Sequence, residues 1–515
     1  MTIDPRYLVS GVGGIALLAA LVGVVFLGFD GRVRDVRDGI VECLDARPYS
    51  NLQLAAGRSI AVAFVAWLPV IVFGGMVQAV GVIGERVGWR TGSSFEPVSL
   101  AAFLFLHAPV GLLLWSAVVG LIATAVRIRI VVAITGVAIM CGTLALSLHM
   151  PLYLKECVFG PGSLGDLASD IVVDFVDSNG LVHSIGVLLA SLSCVTLVGA
   201  LYPRLDRLSR LPPVAVGVAL VVASSTVLGL LVGGAIDGVQ VREGWAAAHQ
   251  AQRNDARADL KSIAGEVFIE PGELLRIDVE LHLSVPNESD TIVLSLNPGL
   301  QVSDVRLDDI QVPFEHKNGF LTVYPQPPPQ AELTIAIRAN GLPDPRFGNL
   351  DSVDPMSQSL AASRLNVLGL ESSVFDDGYV ALMPGVRWLP FPGANYAAQP
   401  VAMVERDFFA VDLAMDVPHG WLAVGPGPRE RVRGNGERTT YRFRPAIAVS
   451  DVVLLAAPFA RRAIRVSDID LEVLIHPDHV ENLLGFSEAT RYFIPQLELT
   501  LGALERYGIL YALQS

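Results

Sequence analysis

Between Leu8 and Ile236 the chain carries six apolar runs: Leu8–Gly28, Ser59–Gly84, Val98–Val126, Ile128–Met150, Ser184–Leu201 and Val214–Ile236. At ~1.5 Å of rise per residue, about 20 residues cross the hydrocarbon core of a bilayer, so each run qualifies as a spanning helix by length. Residues 1–236 are therefore expected to form a six-helix transmembrane bundle. The sequence after it lacks such runs and reads as a water-soluble, strand-rich unit.

Arginines sort the connecting segments. Arg32, Arg34, Arg37, Arg47 and Arg58 follow the first run, Arg127 and Arg129 separate the third and fourth, and Arg204, Arg207 and Arg210 separate the fifth and sixth. The alternate connections are poorer in bases, and Pro151–His183 sets Asp166, Asp170, Asp174 and Asp177 against Lys155. Positive charge stays on the cytoplasmic side, so the basic loops are expected in the cytoplasm and residues 237–515 outside it. The expected location is a bacterial inner (plasma) membrane crossed several times. The bacterial source is read from composition, with three lysines (Lys155, Lys261, Lys317) in a chain rich in Arg, Ala, Val and Gly. The first run lacks the basic n-region and small-residue cleavage site of a signal peptide, so it is expected to stay in the membrane.

Residues 1–236 hold 14 acids and 14 bases, which leaves the whole net charge of −14 to the remainder. An acidic ectodomain argues against nucleic acid or anionic lipid as its partner. The four cysteines, Cys43, Cys141, Cys157 and Cys194, all precede it, so it has neither a disulfide framework nor a thiolate zinc site.

Asp237–Lys261 is charged, Ala-rich and free of proline, which predicts a helical stalk over 237–262. From Val267 the period changes to two. Leu275–Leu283 alternates apolar and polar residues, and similar strands are expected at Thr291–Leu296, Val302–Leu307, Phe320–Val323, Ala331–Ile337, Ala410–Met415, Leu422–Val424, Thr440–Phe443 and Val452–Ala456. Turn signals such as Lys317-Asn318-Gly319 and Gly434-Asn435-Gly436 punctuate them. The expected fold is multi-domain: the α-helical bundle at 1–236, the stalk, a mainly-β saddle or sandwich ectodomain at 263–462, and at 463–515 the first helix of a truncated α/β domain. That helix is read from Leu483, Phe486, Ala489, Tyr492, Phe493, Leu497, Leu501 and Leu504, with a break at Pro495.

Two resemblances follow from particular residues. Asp30–Arg58, DGRVRDVRDGIVECLDARPYSNLQLAAGR, resembles the cytoplasmic coupling segment of exporter-type ABC-transporter permeases. It implies a separate ABC ATPase subunit docking on loop 30–58, although only one helix precedes the segment where the usual permease has two. The strand order over Val267–Ser515, with Ser289-Asp290-Thr291-Ile292-Val293-Leu294, Arg387-Trp388-Leu389-Pro390, Val417-Pro418-His419-Gly420-Trp421 and Ala456-Ala457-Pro458-Phe459, resembles the N-terminal β domain of the aminopeptidase N family of gluzincin-type zinc metallopeptidases. Leu504-Glu505-Arg506-Tyr507-Gly508-Ile509-Leu510-Tyr511 is similar to the helix that opens that family's catalytic domain. Bacterial families that join such a permease to such a peptidase have a similar architecture.

The chemistry of that family needs His-Glu-x-x-His on a helix, two imidazoles for zinc and a Glu to activate water. None of His107, His149, His183, His249, His282, His316, His419, His476 and His479 opens the motif, and Gly-x-Met-Glu-Asn is absent. No catalytic, cofactor-binding or metal residue is assigned; zinc and a peptide substrate are expected only with a longer form. His476-Pro477-Asp478-His479 reads as a surface turn, because Pro477 disfavours a helix that would align the rings. Gly485-Phe486-Ser487-Glu488-Ala489 lacks the strand that a nucleophile elbow requires. Gly11-Val12-Gly13-Gly14-Ile15-Ala16 opens a membrane run and follows no strand. No lysine follows a glycine, which excludes a Walker A loop. His107 reads as a hydrogen bond between helices, and Gly229-Leu230-Leu231-Val232-Gly233 permits close packing. Three functional readings remain: a permease-like anchor joined to an aminopeptidase-like ectodomain, a transport subunit working with a separate ATPase, and a non-catalytic binding module on a membrane anchor in contact with lipid.

Overall fold

A computed structural model describes residues 13–29, 33–34, 37–39, 49–87, 100–126, 128–157, 178–202, 211–252, 257–285, 290–326, 331–348, 350–359, 373–395, 407–434, 436–466 and 469–475. The chain divides into two compact units, Met1–Asp237 with Pro355–Ser363, and Gly238–Asp354 with Arg364–Ser515. Six helices precede a mainly-β region. The helix expected at 480–504, the His476–His479 and Gly485–Ala489 segments, and most of the loop at 30–48 lie outside the described residues.

The helices are α1 (Gly13–Gly28), α2 (Asn51–Val87), α3 (Ala108–Ala125, entered through a π-helical turn at Ala102–His107), α4 (Arg129–His149), α5 (Ser178–Leu201) and α6 (Leu211–Ala251). Five of these stretches are long and apolar enough to cross a membrane, and α1, with 16 described residues, is a shorter apolar helix. Local chemistry explains where they start. Ser50 Oγ accepts from the Gln53 amide (3.2 Å) and Gln53 Oε1 accepts from the Ser50 amide (2.9 Å), a reciprocal cap that opens α2. Pro212 and Pro213 stand in the first turn of α6, where a missing N–H costs nothing. In the π turn ahead of α3, Trp67 Nε1 donates to the Leu104 carbonyl at 2.8 Å.

Small residues let the helices approach. A Cβ on Gly186 would meet Leu228, and one on Gly217 would meet Leu197. At the same places Ser224 Oγ donates to the Gly186 carbonyl (2.7 Å) and Ser193 Oγ to the Gly217 carbonyl (2.9 Å), so α5 and α6 are joined by hydrogen bonds as well as packing. Gly229 and Gly233, whose spacing had suggested close packing, face open space. Leu17, Leu21, Val24, Val25, Phe103, Leu112, Trp115 and Val119 form the main core of this unit.

The strands, in chain order, are β1 (Asp259–Glu270), β2 (Leu274–Ser284), β3 (Ile292–Ser295), β4 (Leu300–Leu307), β5 (Ile310–Gln311), β6 (Phe314–Lys317), β7 (Phe320–Val323), β8 (Glu332–Gly341), β9 (Ser373–Phe375), β10 (Val380–Leu382), β11 (Phe391–Pro392), β12 (Ala410–Pro418), β13 (Leu422–Val424), β14 (Arg429–Gly434), β15 (Arg438–Phe443), β16 (Leu454–Ala457), β17 (Ala460–Val466) and β18 (Ile469–Ile475). An eight-stranded sheet runs β14-β15-β12-β1-β2-β8-β4-β5; two four-stranded sheets run β13-β16-β10-β9 and β11-β3-β7-β6, and β17-β18 is a separate ribbon. The large sheet and both four-stranded sheets share one core. Strand β2 shows why: Leu275, Ile277, Val279, Leu281 and Leu283 are buried while Arg276, Glu280 and His282 between them are exposed. Burying each such side chain contributes about 1.5–3 kcal/mol.

Asn318 and Gly319, at φ 53° and 76°, make the two-residue hairpin between β6 and β7. Only glycine fits the second position, since a Cβ there would run into the Phe347 ring. On the outer face, Arg438 bridges Asp416 and Glu270 and lies 3.9 Å from the Phe268 ring centre, clamping β15, β12 and β1.

Three boundaries differ from the sequence reading. The helix expected to fill 237–262 is α6 only as far as Ala251; β1 begins at Asp259, eight residues before the expected change of period, because Leu260 and Ile263 enter the core and pair with β2. A register shift between Leu260 and Ser262 hides the alternation there. The limit drawn at 462 falls inside β17, which pairs with β18 over its whole length. Strands β5, β9, β10 and β11 are two or three residues long, and β14 is an arginine-rich edge, so neither kind carries a legible period.

Candidate functional site: a basic pocket in the helical unit

Among the described residues, chemistry-bearing side chains converge at one end of the helical unit. The carbonyl of Tyr202, just past α5, accepts from Asn51 Nδ2 at 3.4 Å, and Gly199 brings α5 against the backbone of Leu52. The α2 start and the α5 end are thereby held together, with Ala55, Ala117, Val195 and Val198 as the core between them. Arg58 stands seven residues into α2, about 10 Å along the axis. Its Nη1 donates to the Tyr202 hydroxyl at 3.4 Å, and its guanidinium lies 5.8 Å from the ring centre.

A cavity of about 240 Å³ opens beside this pair. Its walls come from the ends of α1, α3 and α5, the start of α2, and Arg34. Glycine and alanine at Gly28, Ala55, Ala61, Gly120 and Ala123 leave the space. Ser116 Oγ donates to the Ser59 carbonyl (2.9 Å) and Thr124 Oγ1 to the Gly120 carbonyl (2.8 Å), so those hydroxyls serve the helices. Arg34, Arg58 and Tyr202 also line the cavity. Arg37 pairs with Asp38 at 2.9 Å; this hydrogen bond, with the charges of Arg34 and Arg129, holds the Asp38 carboxyl below the usual carboxylate range. Arg34, Arg37 and Arg129 thus gather around Asp38. The participation of Tyr202, and the meeting of Arg34 with Arg58, were not foreseen.

The β unit holds a second polar cluster. Arg242 Nη1 donates to the carbonyls of Arg346 and Gly348 (2.7 Å), while Nη2 reaches Ser352. Trp245 packs edge-on against Phe347. His249 is fully buried, stacked on Phe320 with ring centres 3.7 Å apart. Its Nε2 lies 3.0 Å from the Asn318 carbonyl and its Nδ1 2.9 Å from the Asn395 amide nitrogen. A carbonyl only accepts and an amide N–H only donates, so Nε2 carries the proton and Nδ1 is bare. Asn297 is also fully buried, and its side chain ties the Arg387-Trp388-Leu389-Pro390 element to the turn at Asp344. Beside that element, Arg387, Asp451 and Trp388 border a cavity of about 30 Å³, room for a single water.

The described histidines of the β unit stand apart. His249 is on α6, His282 on β2 bonded to Thr334 Oγ1 (2.8 Å), His316 on β6 near the Leu296 carbonyl (3.3 Å), and His419 in the turn after β12. Among the described residues no group of three or more His, Cys, Asp or Glu is arranged to hold a metal ion.

No protein-family model and no curated protein matches this sequence. Among solved structures the chain is similar to an M1 zinc metallopeptidase from Deinococcus radiodurans, with 16% identity, a TM-score of 0.32, and 42% of this chain and 47% of that one covered. It is likewise similar to a two-domain M1 zinc metallopeptidase variant bound to L-arginine (17%, TM-score 0.33, 42% and 46% covered). Legionella pneumophila aminopeptidase A in complex with aspartic acid is similar at 10% identity and a TM-score of 0.33, with 44% and 25% covered. The chain spans less than half the length of each. The structural neighbours are thus M1 zinc aminopeptidases at low identity, and likeness at this level does not establish a family.

Proposed function

We propose that the chain is an integral membrane protein of a bacterial inner membrane. In this reading a permease-like helical unit carries an aminopeptidase-like β unit. The observation that carries the membrane reading is the outward surface of the helices. On α2, Ile60, Phe64, Leu68, Val72 and Met76 recur every fourth residue and are all exposed, and Ile130 and Ile134 on α4 and Val218, Val222 and Leu230 on α6 extend the pattern. In water a continuous apolar surface of this kind marks an interaction site or an aggregation liability; in lipid it is the natural outer face. The peptidase-like part rests on the order of sequence elements from Val267 onward, and the permease-like part on the Asp30–Arg58 segment.

The basic face at Arg34, Arg37, Arg58 and Arg129 then lies in the cytoplasm, by the charge bias of membrane insertion. Protease added to intact spheroplasts should digest the β unit, and inverted vesicles should protect it; the reverse pattern overturns the orientation. Charge reversal of Arg34 and Arg37 to Glu tests the coupling segment. It should abolish co-purification of an ATPase subunit while the chain still fractionates with membranes, and unchanged recovery would leave the segment as an orientation signal only.

A further inference from the structure

The pocket at the end of the helical unit combines two guanidinium groups, a tyrosine hydroxyl and an apolar wall, and this combination selects a ligand chemistry. Arg34 and Arg58 enter from different segments, 24 positions apart, and Tyr202 from a third. Arginine presents planar donors matched to tetrahedral oxyanions and keeps its charge at any physiological pH. Leu27, Ala55, Val62, Ala123 and Val198 line the rest. A cavity of about 240 Å³ exceeds what one small anion fills. A phosphate on the arginines would leave apolar space for a group attached to it.

We propose that this pocket binds a phosphate group, with Arg34 and Arg58 as its charge partners and the Tyr202 hydroxyl as a further donor, and that its apolar wall suits it to the phosphodiester of an anionic phospholipid. The proposal rests on the membrane reading only for the lipid as source. Basic pockets between helices at the cytoplasmic face are a recurrent place for anionic headgroups.

The test uses the full chain purified in mild detergent, mixed with phosphatidylglycerol or phosphatidylcholine and weighed intact by native mass spectrometry. The wild type should retain phosphatidylglycerol over phosphatidylcholine by about tenfold, the worth of one charge-assisted pair. Arg58→Gln and Arg34→Gln should reduce that preference to about twofold or less, while Arg129→Gln, on the same face but outside the pocket, should keep it. A parallel arm adds inorganic phosphate in phosphatidylcholine micelles and reads thermal stabilisation. Stabilisation that depends on Arg58 without any lipid preference assigns the site to free phosphate. Equal effects of Arg58→Gln and Arg129→Gln, or no response to either probe, overturn the proposal. Should Arg58→Gln fail to fold, Arg34→Gln decides, since Arg34 is exposed. The phosphate arm needs no bilayer, so its outcome is independent of whether the chain fractionates with membranes.

Discussion

Replacing Asn297 by alanine should destabilise the β unit by about 3–5 kcal/mol, because each buried donor or acceptor left without a partner costs about 1–3 kcal/mol. Four groups lose their partner at once. Asn297 Oδ1 accepts from the amides of Gly299 (2.9 Å) and Asp344 (2.7 Å), and Nδ2 donates to the carbonyls of Asp344 (3.0 Å) and Val386 (2.8 Å). Entry of water at the vacated site keeps the total below the sum of four full penalties. In a unit of this size the loss corresponds to a fall in melting temperature of roughly 10 °C. Hydrogen exchange localises it, with amides at 299–300 and 386–388 exchanging first. Asn297→Asp should do no better, since a carboxylate retains the acceptors, removes both donors and adds a buried charge. A melting temperature within about 3 °C of wild type would show that the turn at Asp344 and the Arg387 element hold without this residue.

The second large effect depends on pH. His249 belongs to the polar end of α6, beyond the apolar run that closes at Ile236, and burial lowers its pKa from 6.5 to about 4, with the Arg387 charge adding to the effect and the hydrogen bond to the Asn318 carbonyl opposing it. Protonation would place a second N–H on Nδ1, opposite the Asn395 amide that it now accepts from. The sign follows from linkage. Between pH 6.5 and 4 the unfolded chain takes up a proton at this histidine and the folded chain does not. The stabilising contribution is therefore complete above about pH 6.5 and lost as pH falls towards 4, up to about 3 kcal/mol at 1.36 kcal/mol per unit. Exchange of the Asn395 amide should accelerate by about tenfold or more between pH 7 and pH 4.5 after correction for intrinsic rates, and His249→Gln should flatten that dependence. A wild-type profile as flat as that of the glutamine variant would mean that the ring can leave its site without disturbing the fold. Surface pairs give no comparable signal. Hydrogen bonds from Arg442, joined by Arg444, hold the Asp412 carboxyl down to about 2, but that cluster is solvated and contributes little.

Elements with a local physical signature were readable in the linear chain. Apolar runs too long for a soluble core marked the helices, and Leu275–Leu283 declared its two faces through an unbroken period of two. Asn318-Gly319 announced a hairpin because both residues tolerate positive φ. The cap at Ser50 and Gln53 lies in plain view at i, i+3. Interruptions defeated the same reasoning: the register shift at Leu260/Ser262 concealed the first strand, and the polar edge β14 offers no apolar face to count.

The sequence by itself determined which stretches are apolar enough for lipid and which strands bury one face, because each is a property of neighbours within one turn or one pleat. Only the tertiary structure decided that Arg34, Arg58 and Tyr202 share one cavity, that Asn297 meets Asp344 and Val386, and that His249 sits between Asn318 and Asn395. Those partners are 24 to 168 positions apart. Nothing in a window of sequence encodes such a meeting, since it is set by where whole helices and strands come to rest once their apolar faces are packed. The physical reason is range: hydrophobic periodicity acts over a few residues, whereas a buried hydrogen bond forms only where packing has already brought its two ends within about 3 Å.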